Sequence, residues 1–261
     1  MSESKENSQL TARRLIEALN SNQFILYCQP ISRLRQAPPD VRYLEILVRF
    51  LEEEQKLLPP GTFFPILQDA GLMPLLDRWV IREVLKWLKA QRDKAPNQAL
   101  PRCSVNLSLS AWKDRQIVAF IQKELVASAV APDKLSFEFS MHDIREQRQA
   151  FIDLASRLKP LNCPLAVSGV GIGATSLPGL HRLGVRIVKV DGSVIRALGL
   201  GRKPAALDKL RTITDACIGL GMHSVAEMVE EQETIAILRD AGVDYAQGFG
   251  IGLPVPLTHL G

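Results

Sequence analysis

Cysteine is scarce in this 261-residue chain, and its four copies, Cys28, Cys103, Cys163 and Cys217, form no CxxC pair. That spacing argues against zinc-ribbon and thiol-redox motifs and reads as free thiols of a reducing compartment. Aromatic residues are also few, at 9 Phe, 3 Trp and 3 Tyr. They do not interleave with a basic run, and the formal charge of +4 is mild. A nucleic-acid polymer is therefore not an expected partner. The stretch from Tyr245 to Gly261 carries no Asp, Glu, Lys or Arg but is broken by Gly and Pro, so it cannot form a spanning helix. The opening MSESKENSQL lacks the apolar core of a signal peptide. No GxSxG elbow or Cys/His nucleophile pair is present, which excludes the common forms of covalent acyl chemistry. A cytoplasmic protein without a membrane span is expected.

What the chain does have is aliphatic bulk: 46% hydrophobic against 23% charged residues. That composition excludes wholesale disorder, and the length suits one large barrel or two ordinary domains. Residues 1–13 read as a polar tail and 14–261 as one domain. A first helix places Leu10, Leu15, Ile16 and Leu19 at helical spacing. Phe24–Pro30 and Tyr43–Phe50 read as strands joined through Pro38-Pro39-Asp40 in an antiparallel hairpin, with Pro30 expected to stop the first.

The rhythm then becomes helix and strand in turn. Helices are expected over Thr62–Ala70, Leu75–Lys89, Ser110 (as N-cap) to Val126, Asp143–Lys159, Asp208–Leu220 and Glu231–Ala241. Trp79 and Trp87 in the second of these read as core packing. Strands are expected at Cys103–Leu107, Leu135–Phe139, Leu165–Val167, Val185–Val190, Ser224–Ala226 and Tyr245–Phe249. Eight strands, alternating with helices after the first hairpin, predict an α/β fold. Its form is a TIM-like (β/α)8 barrel with an antiparallel hairpin at the first strands.

Polar residues recur at the ends of these otherwise apolar strands: Gln29, Glu45, Asn106, Glu138, Lys189 with Asp191, Glu227 and Gln247. In a β/α barrel the C-terminal strand ends meet at one rim, so these groups should converge on one mouth. Glu45, Asn106 and Glu138 offer oxygen ligands, the preference of Mg²⁺ or Mn²⁺. Lys189 offers a cation for a phosphate or an attacking water. His142, His181, His223 and His259 lie off the strand ends and are read as surface or loop residues.

The segments QPI (29–31), LEILVRF (44–50), VNLS (105–108), FEFS (137–140), VKVD (188–191), VAEMVE (225–230) and YAQGF (245–249) follow one another in the order and spacing of EAL domains. The chain thus resembles that family from about Arg14 onward, with Glu45-Ile46-Leu47 where the family has Glu-Ala-Leu. The resemblance implies a TIM-like barrel that, in active members, hydrolyses cyclic di-GMP with Mg²⁺ or Mn²⁺. By the same resemblance, Glu45, Asn106 and Glu138 stand as ligands of one metal. Asp191 and Glu227 lie around a second, and Lys189 is the lysine beside the attacking water. Gln29, Leu47, Arg49, Asp77, Glu230 and Gln247 are the groups that hold guanines and phosphates.

The departures from the family pattern lie in one loop and its supports. The family's Asp-Asp-Phe-Gly-Thr-Gly is Ser168-Gly169-Val170-Gly171-Ile172-Gly173 here. A supporting glutamate is Met141, and the glycine of the strand-seven motif is Met228. Losing two anionic ligands at a hard-cation site should cost several kcal/mol of metal binding, and each ~1.4 kcal/mol of transition-state stabilisation is about tenfold in rate. The catalytic and metal residues are therefore read as vestigial. The expected protein is a non-hydrolysing cyclic di-GMP receptor that signals to a protein partner not identifiable from the sequence. It requires no cofactor, with Mg²⁺ or Mn²⁺ relevant only to residual activity, and a homodimer is compatible with the chain. Two alternatives are an interaction module that has lost the nucleotide and a residual phosphodiesterase. Gly169-x-Gly171-x-x-Ala174 followed by Asp191 imitates a dinucleotide fingerprint, but it sits mid-series and its following helix carries Pro178-Gly179, which argues against that reading.

Overall fold

The computed structural model describes residues 10–21, 23–35, 41–52, 56–171, 177–199 and 203–260. The polar tail through Gln9, the Pro38-Pro39-Asp40 turn, Ile172-Gly173 and Ala174 lie outside them. Helix α1 (Ala12–Asn20) is capped by the Thr11 side chain, which accepts from the Arg14 amide. Strands β1 (Phe24–Arg33) and β2 (Tyr43–Leu51) pair antiparallel in an unbroken register from Phe24 opposite Phe50 to Ile31 opposite Tyr43. The short β3 (Leu57–Leu58) folds back on β2, and α2 (Pro60–Asp69) and α3 (Met73–Lys94) follow.

The β/α series continues with β4 (Arg102–Asn106), α4 (Leu109–Lys113), α5 (Ile117–Ser128), β5 (Leu135–Ser140), α6 (Met141–Glu146), α7 (Arg148–Leu158) and β6 (Leu165–Val170). Then come α8 (Leu177–Arg182), β7 (Val185–Val190), α9 (Gly192–Gly199), α10 (Lys203–Leu220), β8 (His223–Ala226), α11 (Gln232–Asp240), β9 (Tyr245–Ala246) and β10 (Val255–Pro256). Strands β2, β4, β5, β6, β7, β8 and β9 are parallel neighbours in that order, and β1 closes the ring antiparallel to both β9 and β2. The fold is a closed eight-strand α/β barrel, with β3 and β10 added at its margins.

Closure follows from two hydrophobic periods. Leu76, Val80, Ile81, Val84, Leu85 and Leu88 give α3 one buried stripe against the strands. Trp79 and Trp87 are half-buried against the same core. Inside the ring, Ile31, Tyr43, Ala166, Ile187 and Val225 form a separate apolar layer with Tyr245 at its edge. Such an inner layer makes the barrel a packed core rather than a pore.

Several local expectations are corrected. Ser108, not Ser110, caps the helix after β4, accepting from the Ala111 amide. The helix expected to reach Val126 is two helices, because the Asp114 carboxylate accepts from Gln116 N at 2.8 Å and pairs with Arg78. Such a side-chain bond to the local backbone competes with helix continuation. The expected 143–159 helix is likewise α6 and α7, parted at Gln147, and α6 starts earlier, capped by Ser140. Pro30 does not stop β1; it falls where that strand passes from its β10 contacts at Tyr27 and Cys28 to its β9 contacts at Ser32 and Arg33. The last barrel strand ends at Ala246, not Phe249. At Gly248, with φ +152°, the chain crosses the Val229 backbone so closely that an added Cβ would lie 2.2 Å from the Val229 oxygen. The dinucleotide-like spacing begins at the end of β6 inside a closed ring, which has no open-sheet switch point to bind a dinucleotide. All four cysteines are free and buried, and burial pushes their thiols up.

Candidate functional site

Above the inner apolar layer the barrel turns polar, because the inward period-two positions of successive strands carry Gln29, Glu45, Ser104, Glu138 and Lys189. In strands β2, β5 and β7 the register brings Glu45 opposite Ser104 and Glu138 opposite Ala166, with Lys189 beside Val225. The small Ser104 and Ala166 leave room in the middle of the ring for long side chains from their neighbours.

Lys189 fills that room. It is fully buried, and its ammonium lies 2.8 Å from Glu45 Oε2, 3.0 Å from Glu138 Oε1 and 3.5 Å from Glu227 Oε1. Three carboxylates, two from β2 and β5 and one just past the end of β8, therefore share one cation. Asn106 donates to Glu45 Oε1 at 3.0 Å, and Gln247 donates to Glu45 Oε2 at 2.6 Å and to Gln29 Oε1 at 3.1 Å. Gln29 in turn donates to the Gly252 carbonyl at 3.0 Å. Ser104 donates to Glu138 Oε2 at 3.2 Å, and the Gly169 amide to Glu227 Oε2 at 3.4 Å.

The electrostatics follow from three negative groups around one positive one in a dry place. Burial pushes the Lys189 ammonium down, but Glu138, Glu45 and Glu227 together hold it well above its ordinary range. Burial raises Glu45 too, yet the Lys189 charge and the bonds from Lys189, Gln247 and Asn106 outweigh it and leave that carboxyl below its usual value. Glu138 takes the opposite course: burial is the largest cause, the neighbouring carboxylates add to it, and the group is pushed up to about 7 despite Lys189. Glu227 is raised mainly by burial. The cluster thus holds Lys189 charged and favours a proton on Glu138.

The residues assigned to divalent cations in the sequence reading are committed elsewhere. Glu45 and Glu138 face the Lys189 ammonium, Asn106 turns its amide N–H to Glu45, and Asp191 accepts at Oδ1 from the Ser193 amide at 2.8 Å and from the Ser193 hydroxyl. Ser168 and Gly169 add no carboxylate. Among the described residues, no group of three or more His, Cys, Asp or Glu is arranged to hold a metal ion. Gly169 has φ +69°, and a Cβ there would lie 3.9 Å from Asp191 Oδ2.

Two hollows flank the cluster. One, a cleft of about 430 Å³, is lined by Leu47, Leu76, Asp77, Asn106, Ser108 and Glu138 among others. Asp77 is 5% exposed and accepts from the Ser108 hydroxyl at 2.6 Å and the Ser108 amide at 3.3 Å. Burial nevertheless pushes it up to about 7, with the Ser108 bonds opposing. The other hollow, about 230 Å³, is lined by Ile195, Arg196, Met228, Glu230, Glu231 and Thr234. Glu230 is exposed, and Met228 holds φ +57° with its thioether lying over Gly192.

Arg49 lies on the same face of β2 as Glu45 and Leu47. Its guanidinium sits over the Tyr27 ring with Cζ 5.6 Å from the centroid and donates to the Val48 carbonyl at 2.9 Å. Among the described residues it meets no carboxylate. Sequence reading missed Ser104 and Ser108, the donors to Glu138 and Asp77. Ser104 was detectable, standing two residues before Asn106 and so on the same strand face. Ser108 was not, because its partner comes from α3, 31 residues away.

The EAL domain family model matches residues 12–254. The cyclic di-GMP phosphodiesterase PdeB of Shewanella oneidensis is 30% identical over 254 residues, which are 97% of this chain and 29% of that protein. The cyclic di-GMP phosphodiesterase PdeF of Escherichia coli is 32% identical over 94% of this chain and 32% of its own length. The chain thus spans about a third of these curated relatives. The FimX EAL domain of Pseudomonas aeruginosa, crystallised bound to c-di-GMP, is 27% identical with a TM-score of 0.82, covering 92% of this chain and 94% of that one.

Proposed function

This chain belongs to the EAL domain family, and from that premise we propose that it is a non-hydrolysing receptor for cyclic di-GMP that signals to a protein partner. The observation that carries the reading is the set of contacts from Lys189 to Glu45, Glu138 and Glu227, beside Ser168 and Gly169 at the end of β6 in place of two carboxylates. A two-metal hydrolysis needs anionic ligands that hold cations and lower the pKa of bound water. The donor set here does not fit that requirement.

The flanking groups support retention of the ligand. Asp77 in one hollow and Glu230 in the other are acceptors suited to the N1 and N2 edges of two guanines. Leu47 offers an apolar face beside Asp77. Arg49, with no carboxylate partner, has the charge to fork onto a phosphate. Gln29 and Gln247 act as a brace: both are buried, and Gln247 keeps one unpartnered acceptor, Oε1. Since Lys189 already serves three carboxylates, Arg49 supplies a cation for the phosphates. The c-di-GMP held by the FimX domain supports the ligand class. In this reading the domain works in the cytoplasm and needs no metal cofactor.

The test is calorimetric titration of cyclic di-GMP in EDTA and again in Mg²⁺, with chromatography of the product. Saturable binding of equal strength in both, without linear dinucleotide, is expected. Absence of binding at about 100 μM ligand, weaker than ~5.5 kcal/mol, would assign the chain to a module that binds proteins only. Turnover near ~1 s⁻¹ or faster would make it an enzyme.

A further inference from the structure

At the opposite pole of the barrel the parallel strands begin, and there the chain encloses a cavity of about 210 Å³. Its lining comes from first residues of strands and the turns before them: Tyr43, Arg102, Ser136, Ile187, His223 and Tyr245 are the ones that matter here. The layer of Ile31, Ala166, Ile187 and Val225 separates it from the carboxylate cluster.

Two features of this cavity are unexplained by folding alone. The Nε of Arg102 is buried without a hydrogen-bond partner, and so is the hydroxyl of Tyr43, which lies near the Ser136 and Ser104 side chains. Among the described residues the whole Arg102 guanidinium has no side-chain hydrogen bond or ion pair. Tyr43 and Arg102 are directly paired across β2 and β4, so both side chains start on the same face. A buried donor left unmatched is costly, and these two donors come from paired positions of neighbouring strands.

Charge and shape say what kind. Arg102 and Arg186 bring two fixed positive charges to the cavity, against Asp133, which is itself 3.2 Å from Lys134. The walls are rings in an edge-to-face chain: Tyr43 on Tyr245 at 6.1 Å and 80°, and His223 on Tyr245 at 5.7 Å and 87°. Ile187 and Pro164 complete the apolar side. A carboxylate can accept from Arg102 and Tyr43 together, and a planar ring can pack on the tyrosines.

We propose that the N-terminal pole of this barrel is a second binding site, for a small aromatic carboxylate held by Arg102 and Tyr43 against the touching rings of Tyr245 and His223. This site lies outside the cyclic di-GMP reading and does not depend on it.

The experiment titrates the full chain with benzoate, benzyl alcohol and acetate, following amide shifts by NMR. Benzoate should saturate, bind about tenfold or more tightly than either comparator, and shift residues around Tyr43, Arg102, His223 and Tyr245. Arg102→Gln should weaken benzoate about tenfold while leaving the cyclic di-GMP titration unchanged. Tyr43→Phe, which keeps the ring, should weaken it several-fold. Equal binding of benzyl alcohol or acetate, shifts confined to the Glu45–Lys189 rim, or an undiminished affinity in a folded Arg102→Gln chain would each overturn the proposal. Should Arg102→Gln not fold, the ranking of the three ligands on the unaltered chain decides it.

Discussion

The Lys189 ammonium donates to Glu138 Oε1 at 3.0 Å in a place closed to water, with Lys189 fully buried and Glu138 3% exposed. The two residues come from strands β7 and β5, which are not neighbours, so the bond crosses the barrel interior above Ala166 of the strand between them. Glu45 and Glu227 complete the group. The cation that the sequence reading offered to a phosphate or an attacking water lies here among the barrel's own carboxylates.

That role makes Lys189 structural. Lys189→Met leaves the buried Glu138 and the half-buried Glu45 and Glu227 around no positive charge, and removing one partner of a buried pair costs about 3–5 kcal/mol. Denaturant unfolding should show a loss of that order. Adding Glu138→Gln to Lys189→Met should return part of it, and a purely additive double variant would refute the shared-cation account.

Asp77 should make stability depend on pH. Its folded carboxyl is raised from 3.8 to about 7, chiefly by burial. A group raised in this way binds its proton more tightly when folded. Its contribution is fully present below about pH 4 and is lost as pH rises through 7. Between pH 5 and pH 8 the natural chain should lose about 1–3 kcal/mol relative to Asp77→Asn. Parallel unfolding curves for the two proteins across that window would show Asp77 to be ionised throughout.

Arg49 separates binding from folding. Its guanidinium makes one bond, to the Val48 carbonyl, besides the contact with Tyr27. Arg49→Ala should therefore cost less than about 1 kcal/mol of stability. It should weaken cyclic di-GMP by about ten- to a hundredfold, the worth of one charge-assisted hydrogen bond. Unchanged affinity in calorimetry would remove Arg49 from the ligand site.

Restoring the missing carboxylates tests the metal argument. In Ser168→Asp with Gly169→Asp the second new side chain adopts φ +69°, which costs an L-residue about 1–2 kcal/mol, and starts 3.9 Å from Asp191 Oδ2. The double variant should be less stable than the natural chain in EDTA. Mn²⁺ should raise its melting temperature and leave that of the natural chain unmoved. Equal stabilisation of both proteins by Mn²⁺ would show that the natural donor set already holds the ion. Met141→Glu belongs in a third variant, where the new carboxyl replaces a side chain that is 1% exposed.

The barrel and its polar rim were legible in the order of residues. Strand period two placed Glu45, Glu138 and Lys189 inward, and the β/α alternation implied a parallel ring, because both patterns are written in neighbouring positions. Helix ends were read less well. Asp114 breaks its helix by bonding to Gln116 while paired with Arg78, 36 residues away, and local propensity carries no record of that partner. Which charges compensate which was decided only by tertiary structure. Lys189 lies 144 residues from Glu45 and 51 from Glu138, and its protonation and theirs depend on a shared dry interior that exists once the ring has closed. The N-terminal pole is of the same kind. Tyr43, Arg102, His223 and Tyr245 are unremarkable in the sequence, and they face one another because four strands begin at the same end of the barrel.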